Sequence, residues 1–242
     1  MPQDLSAARR AEHIVARWTT YLLFACLVLE AGTLVSRVSH RAQLPRWTAG
    51  VPQLQAQAAT PDAPDRAIAT MRLAALLGTG IVWLIWLRRA YRNLALVGSK
   101  RSRFTPRQAV AYWFIPLVNL VRAYQVMKDL WLRSDSLNDR DAYDDLPAPA
   151  LLSGWWGASL TWGVLQPVVA STVRNARTAL ELTNITDVAL VGSAVGIVAA
   201  VLAIRVVRGI DQRQQCFSSS APDLPTPSPQ ARHHGPTSRD GD

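Results

Sequence analysis

Five aspartates, Asp135, Asp139, Asp141, Asp144 and Asp145, crowd into one short stretch, the density at which oxygen ligands can hold a hard cation such as calcium. Their spacing is irregular and lacks the glycine that turns a calcium loop, so the stretch reads as a solvated linker. Glu30 stands inside an apolar block, where an ionisable side chain is by default a proton or ion site, although its place past the midpoint lets it extend toward outer headgroups. The four histidines, His13, His40, His233 and His234, lie outside the apolar blocks and do not form a ligand set. Cys26 lies inside a block and Cys216 beyond the last one, at different depths, so they are not expected to pair. No phosphate loop, HExxH helix, paired-cysteine motif or nucleophile elbow occurs. The residues point away from an enzyme, and no catalytic, cofactor or metal site is expected.

Long apolar blocks must hold these residues. Of 242 residues, 49% are hydrophobic, yet mean hydropathy is only +0.07 because the blocks alternate with polar segments. A formal charge of +9 would suit nucleic acid, but the basic residues flank the blocks instead of forming one soluble face. That placement suits anionic lipid headgroups at the inner face of a membrane and excludes a nucleic-acid partner.

Trp18 to Ser36 would span about 28 Å as a helix, close to the thickness of a bilayer core. A cleaved signal peptide is disfavoured there, since Leu29-Glu30-Ala31 is a poor cleavage site. Similar blocks follow, and the fold class expected is an all-α, polytopic membrane bundle of four transmembrane helices. Its parts are a cytoplasmic segment (1–17), span 18–36, an extracytoplasmic loop (37–66), span 67–87, a cytoplasmic segment (88–150), span 151–173, an outer turn (174–187), span 188–204 and a cytoplasmic tail (205–242). Arg72 is expected to reach the outer interface, and Trp83 and Trp86 to sit at the inner one. Eleven of the 26 basic residues lie between the second and third spans, against Arg174 and Arg177 between the third and fourth. The positive-inside rule therefore puts that segment and both termini in the cytoplasm of a multi-pass cell-membrane protein. From Ser218 the tail is disordered by composition. Gly192, Gly196 and Ala200 make a small-residue stripe that lets another helix approach, within the bundle or in a homo-oligomer.

Within the cytoplasmic segment, 105–134 reads as a broken amphipathic helix lying at the interface. Thr105, Pro106 and Gln108 have the form of a capping box with proline at the first turn. Pro116 should stop that helix near Ile115, and Asn119 should cap the next. Leu120, Tyr124, Met127 and Trp131 then recur on one face, with Arg122 and Lys128 on others. The uncharged run from Ala109 to Val121 reaches about 20 Å as a helix, too short to cross, which favours an interfacial element over a re-entrant one.

The run Trp113-Phe114-Ile115-Pro116-Leu117-Val118-Asn119-Leu120, with Tyr124, Met127 and Trp131 beyond it, resembles the core motif of the domain-of-unknown-function family "four-three-two-eight" of mainly actinobacterial multi-span membrane proteins. The similarity covers roughly Ala67 to Arg208 and includes the Trp155-Trp156 pair; Ala123 stands where the family has proline. The resemblance implies location and fold and names no activity. Two functions fit. In the first, a non-catalytic scaffold or interaction protein uses Trp113, Pro116, Asn119, Arg122, Tyr124, Met127, Lys128 and Trp131 to dock on lipid or an unknown protein partner. In the second, a small transporter or channel subunit has a re-entrant segment around Pro116 and Asn119.

Overall fold

The computed structural model describes residues 2–48, 63–96, 103–134, 146–175 and 179–219, and nearly all of these are helical. Four helices are long: α1 (Pro2–Thr48), α2 (Ala63–Leu96), α5 (Ala150–Asn175) and α6 (Ala179–Ser219). Two short ones, α3 (Pro106–Ala111) and α4 (Val118–Arg133), lie between α2 and α5.

The long helices outrun the apolar blocks at their centres. Residues 37–48, 88–96, 179–187 and 205–219 are helical, where the sequence reading had loop, cytoplasmic segment, outer turn and tail. Polar partners across helices hold these extensions: Arg41 donates to Asp187 at 2.8 Å at one end, and His13 meets Asp211 at 3.1 Å at the other. The remainder of the outer loop (49–62), most of the acidic linker (135–145) and the tail from residue 220 lie outside the described residues.

Among the described residues, His13–Ser39, Arg66–Leu94 and Thr183–Cys216 are each long and apolar enough to cross a membrane. Helix α5 has the length, but its tryptophans, Gln166 and Pro167 dilute its apolar content, so three helices and not four carry that signal. The chain is thus an all-helical, multi-span membrane bundle. Side chains such as Phe24, Leu77, Ile81, Val164 and Val198 are exposed along its length, an apolar surface that a bilayer covers.

Cross-helix contacts fix the arrangement. Cys26 lies 3.2 Å from Thr79, and Glu30 meets Arg72, so α1 and α2 are antiparallel. A Cβ on Gly154 would meet Leu202, and one on Gly192 would meet Leu165, so α5 and α6 are antiparallel too. With α1 also packed along α6, the order across the bundle is α2, α1, α6, α5. Helices α2 and α5 are drawn together at one end, where Trp83 and Trp155 stack 5.5 Å apart. This is the end from which Arg88, Arg205 and Arg208 emerge, and it holds the main core, with Leu87, Tyr91, Met127, Leu130, Leu152 and Val206 fully or almost fully buried. At the opposite end, among the described residues, Val169, Ile185 and Ala189 form a small buried cluster.

Candidate functional site

At the arginine-rich end the chain leaves α2, turns through α3 and α4, and enters α5. The capping box forms as its residues require: Thr105 Oγ1 accepts from the Gln108 amide at 3.2 Å, and Gln108 Oε1 accepts from the Thr105 amide at 3.0 Å. The helix stops at Ala111, four residues short of the Ile115 end that Pro116 alone would allow. Trp113 is the physical reason. It leaves the helix to join a cluster in which Trp83 is 6.0 Å away and Trp156 also 6.0 Å away, with Trp86 and Trp155 against Trp83.

Beyond Pro116 the backbone makes a tight three-residue turn. The Val118 amide donates to the Pro116 carbonyl at 2.7 Å, around Leu117 at φ 63, ψ −47. This is the γ-turn that side chains disfavour, and a non-glycine residue held there costs on the order of 1–3 kcal/mol. Leu117 occupies the cap position of α4 without a side-chain hydrogen bond, and Asn119, expected as the cap, is inside the first turn. The strained turn projects a tip. Leu117 is 79% exposed and Phe114 69%, with Ile115, Leu120 and Val121 exposed beside them. Pro116 is exposed with them.

The face of α4 differs from the one expected. Ala123, Val126, Met127, Leu130 and Trp131 are buried, Tyr124 is half-buried and Leu120 faces out. Met127 and Trp131 are therefore core residues and not part of a free docking face. Tyr91 sets this rotation by donating to the Val126 carbonyl at 2.7 Å, and Trp131 lies under the Arg213 guanidinium at 3.8 Å. Tyr124 and Ser153 hydroxyls meet at 2.9 Å, and Trp156 Nε1 donates to the Leu120 carbonyl at 3.0 Å. Burial pushes the Asp129 carboxyl up, against the opposing influence of the Arg133 guanidinium and the Tyr91 hydroxyl, both bonded to it. Arg122 faces outward and donates to Gln125, and Lys128 is half-buried. Among the described residues, Asn119 Oδ1 and the indole N–H groups of Trp83 and Trp113 are buried without a hydrogen-bond partner.

A second polar site lies further along the bundle. Glu30 does not extend to the headgroups; it is 5% exposed, with residues of α2, α5 and α6 converging on it. Arg72 donates to Oε2 at 2.6 Å, and Trp162 Nε1 and Gln166 Nε2 donate to Oε1 at 2.7 and 3.4 Å. Arg72 turns inward to make this pair instead of reaching the outer interface. Arg37, read as the start of a loop, donates to the Ala189 carbonyl and to Ser193 Oγ. A buried carboxyl group with three donors around it is a satisfied tie between helices. Asn119 and Glu30 are not brought together. Asn119 is beside the start of α5 near Trp156, whereas Glu30 is level with Trp162 and Gln166, about 9–15 Å further along that helix.

Gly196 gives the tie its room. A Cβ there would lie 2.6 Å from Trp162 Nε1 and 2.8 Å from Glu30 Oε1, so the small-residue stripe of Gly192 and Gly196 packs inside the bundle, with Ala200 half-buried below. Gly196→Ala is expected to lower stability by about 1–3 kcal/mol through overpacking and displacement of the indole donor. Gly32→Ala, where a Cβ meets nothing within 4 Å, is the neutral control, and both are read as apparent melting temperature in detergent.

Sequence reasoning marked Glu30 but missed its partners. Trp162 and Gln166 sit among other helix residues with nothing local to single them out, and only the packing of α1 and α5 against α6 selects them. The five-tryptophan cluster was missed for the same reason. Cys26 and Cys216 are not joined by a disulfide, and Cys26 Sγ lies beside Thr79 Oγ1. Among the described residues no group of His, Cys, Asp and Glu is arranged to hold a metal ion.

No curated protein and no solved structure matches the chain. The family model described as a domain of unknown function, DUF4328, matches residues 49–212, which takes in α2 to α5 and most of α6 and leaves α1, with Glu30, outside the match. That match spans well over half of the 242 residues, and with the broken segment at its centre the chain belongs to the DUF4328 family.

Proposed function

We propose that this is a non-catalytic membrane module that sets its α3–α4 tip into the inner leaflet of the cell membrane. In this reading α5 crosses as a fourth span despite its polar content, and the arginine-rich end, with both termini, faces the cytoplasm. The observation that carries the proposal is the strained turn at Leu117. A backbone conformation that costs free energy is kept where its product, here an apolar tip, is used. Phe114, Ile115 and Leu117 would enter the acyl boundary while Arg103, Arg107 and Arg122, all exposed nearby, meet anionic headgroups. The buried faces of Trp113, Met127 and Trp131 then hold the tip at a fixed angle to the bundle. The transport alternative has less support, because Glu30 is fully engaged by protein donors and stands apart from Asn119.

Spin labels at Leu117→Cys and Arg122→Cys, in bilayer discs containing anionic lipid, test this. Leu117 should relax mainly with oxygen, which partitions into lipid, and Arg122 mainly with a water-soluble nickel chelate. A label at 117 that responds chiefly to the chelate refutes insertion.

A further inference from the structure

We infer that a cleft between α1 and α6 at the arginine-rich end binds the phosphate of an anionic phospholipid. The cleft is about 280 Å³. Its floor is Ala16 and Val207, both buried, and its walls carry Arg17 and Tyr21 from α1 and Arg208 and Asp211 from α6. A volume of this size admits a headgroup and not a whole lipid.

Charge selects the class of headgroup. Arg17 and Arg208 are both exposed, and together they outweigh the single carboxylate. Asp211 is already engaged by protein: Oδ1 is 3.1 Å from His13 Nδ1, and Oδ2 accepts from Gln215 Nε2 at 2.8 Å. A lipid amine therefore meets two guanidinium charges and a single carboxylate already bonded to protein, whereas a phosphate finds two guanidinium groups, each able to donate two bonds. Arg17 is pre-positioned, since its Nη2 donates to Tyr21 Oη at 3.2 Å and its guanidinium stands 6.0 Å from that ring. Depth agrees with this. Trp18, 58% exposed, and Tyr21 form the amphipathic belt expected at a headgroup boundary. Phe24 and Val28 continue an exposed apolar flank away from the cleft, along which acyl chains can lie. The site is separate from the α3–α4 tip, so either proposal stands or falls without the other.

Native mass spectrometry of the full chain in mild detergent tests the site, with phosphatidylglycerol, phosphatidylethanolamine or inorganic phosphate added in graded amounts. The wild-type chain should retain phosphatidylglycerol in preference to phosphatidylethanolamine, and inorganic phosphate should not displace it. Arg17→Ala with Arg208→Ala should lower retention about tenfold, whereas Arg88→Ala with Arg92→Ala, an exposed pair at the same end of α2, should leave it unchanged. Arg208→Gln alone should give a partial loss, and it serves if the double variant fails to fold. Equal retention by wild type and the Arg17/Arg208 variants overturns the inference. So does an equal loss in the Arg88/Arg92 pair, which marks general electrostatics, displacement by inorganic phosphate, which marks a free-anion site, or equal retention of the two lipids.

Discussion

Arg72→Leu is expected to destabilise the bundle by about 3–5 kcal/mol, the cost of leaving a buried carboxylate without its counter-charge. Arg72 and Glu30 are mostly buried side chains 2.6 Å apart, and Trp162 and Gln166 donate only neutral hydrogen bonds. The loss should appear as a large fall in apparent melting temperature in detergent and as poor accumulation in membranes. Adding Glu30→Gln to Arg72→Leu should restore much of it, because an amide does not need the arginine and still accepts from Trp162. An unchanged melting temperature in the single variant, or no recovery in the double one, would show that the pair does not tie the helices.

Trp131→Ala is the second large effect, at about 3–5 kcal/mol for removing a buried aromatic side chain. Trp131 is 8% exposed, and a Cβ on Gly209 would come within 2.8 Å of its ring. Removing it opens a gap between α4 and α6 and takes away the surface beneath Arg213. Trp131→Phe, which keeps a ring, should lose much less. Were Trp131 a contact for an outside partner, as its place on the expected apolar stripe implied, the alanine variant would fold normally and lose only binding. Melting temperature and elution from size exclusion separate these outcomes.

The reason that stripe misled is instructive. Leu120, Tyr124, Met127 and Trp131 keep helical spacing, but the buried face of α4 runs through Ala123, Val126, Met127, Leu130 and Trp131, rotated from the expected one. A small alanine and a valine carry no local signal of burial; Tyr91, which bonds the Val126 carbonyl from α2, decides the rotation. Local chemistry was readable wherever a residue's partner is near in sequence. The capping box at Thr105 and Gln108 is such a case, as is the helix break before Pro116, although Trp113 pulled the break earlier. Helix ends were underestimated because arginine, glutamine and alanine continue a helix into water when a partner such as Asp187 or Asp211 stands across from them. Glu30 was legible as a special residue, yet its partners are distant in the chain, and its meaning changed from a group reaching outward to one held at the centre.

The distances along the chain also set an order of events during synthesis. Glu30 emerges from the ribosome 42 residues ahead of Arg72 and 132 residues ahead of Trp162. A first helix entering the bilayer alone would carry its carboxylate without the arginine that bonds it. Biogenesis therefore favours entry of the first two helices as a hairpin, with the arginine neutralising the acid before the later pair is made. The tryptophan and glutamine donors close around a charge that has already been matched.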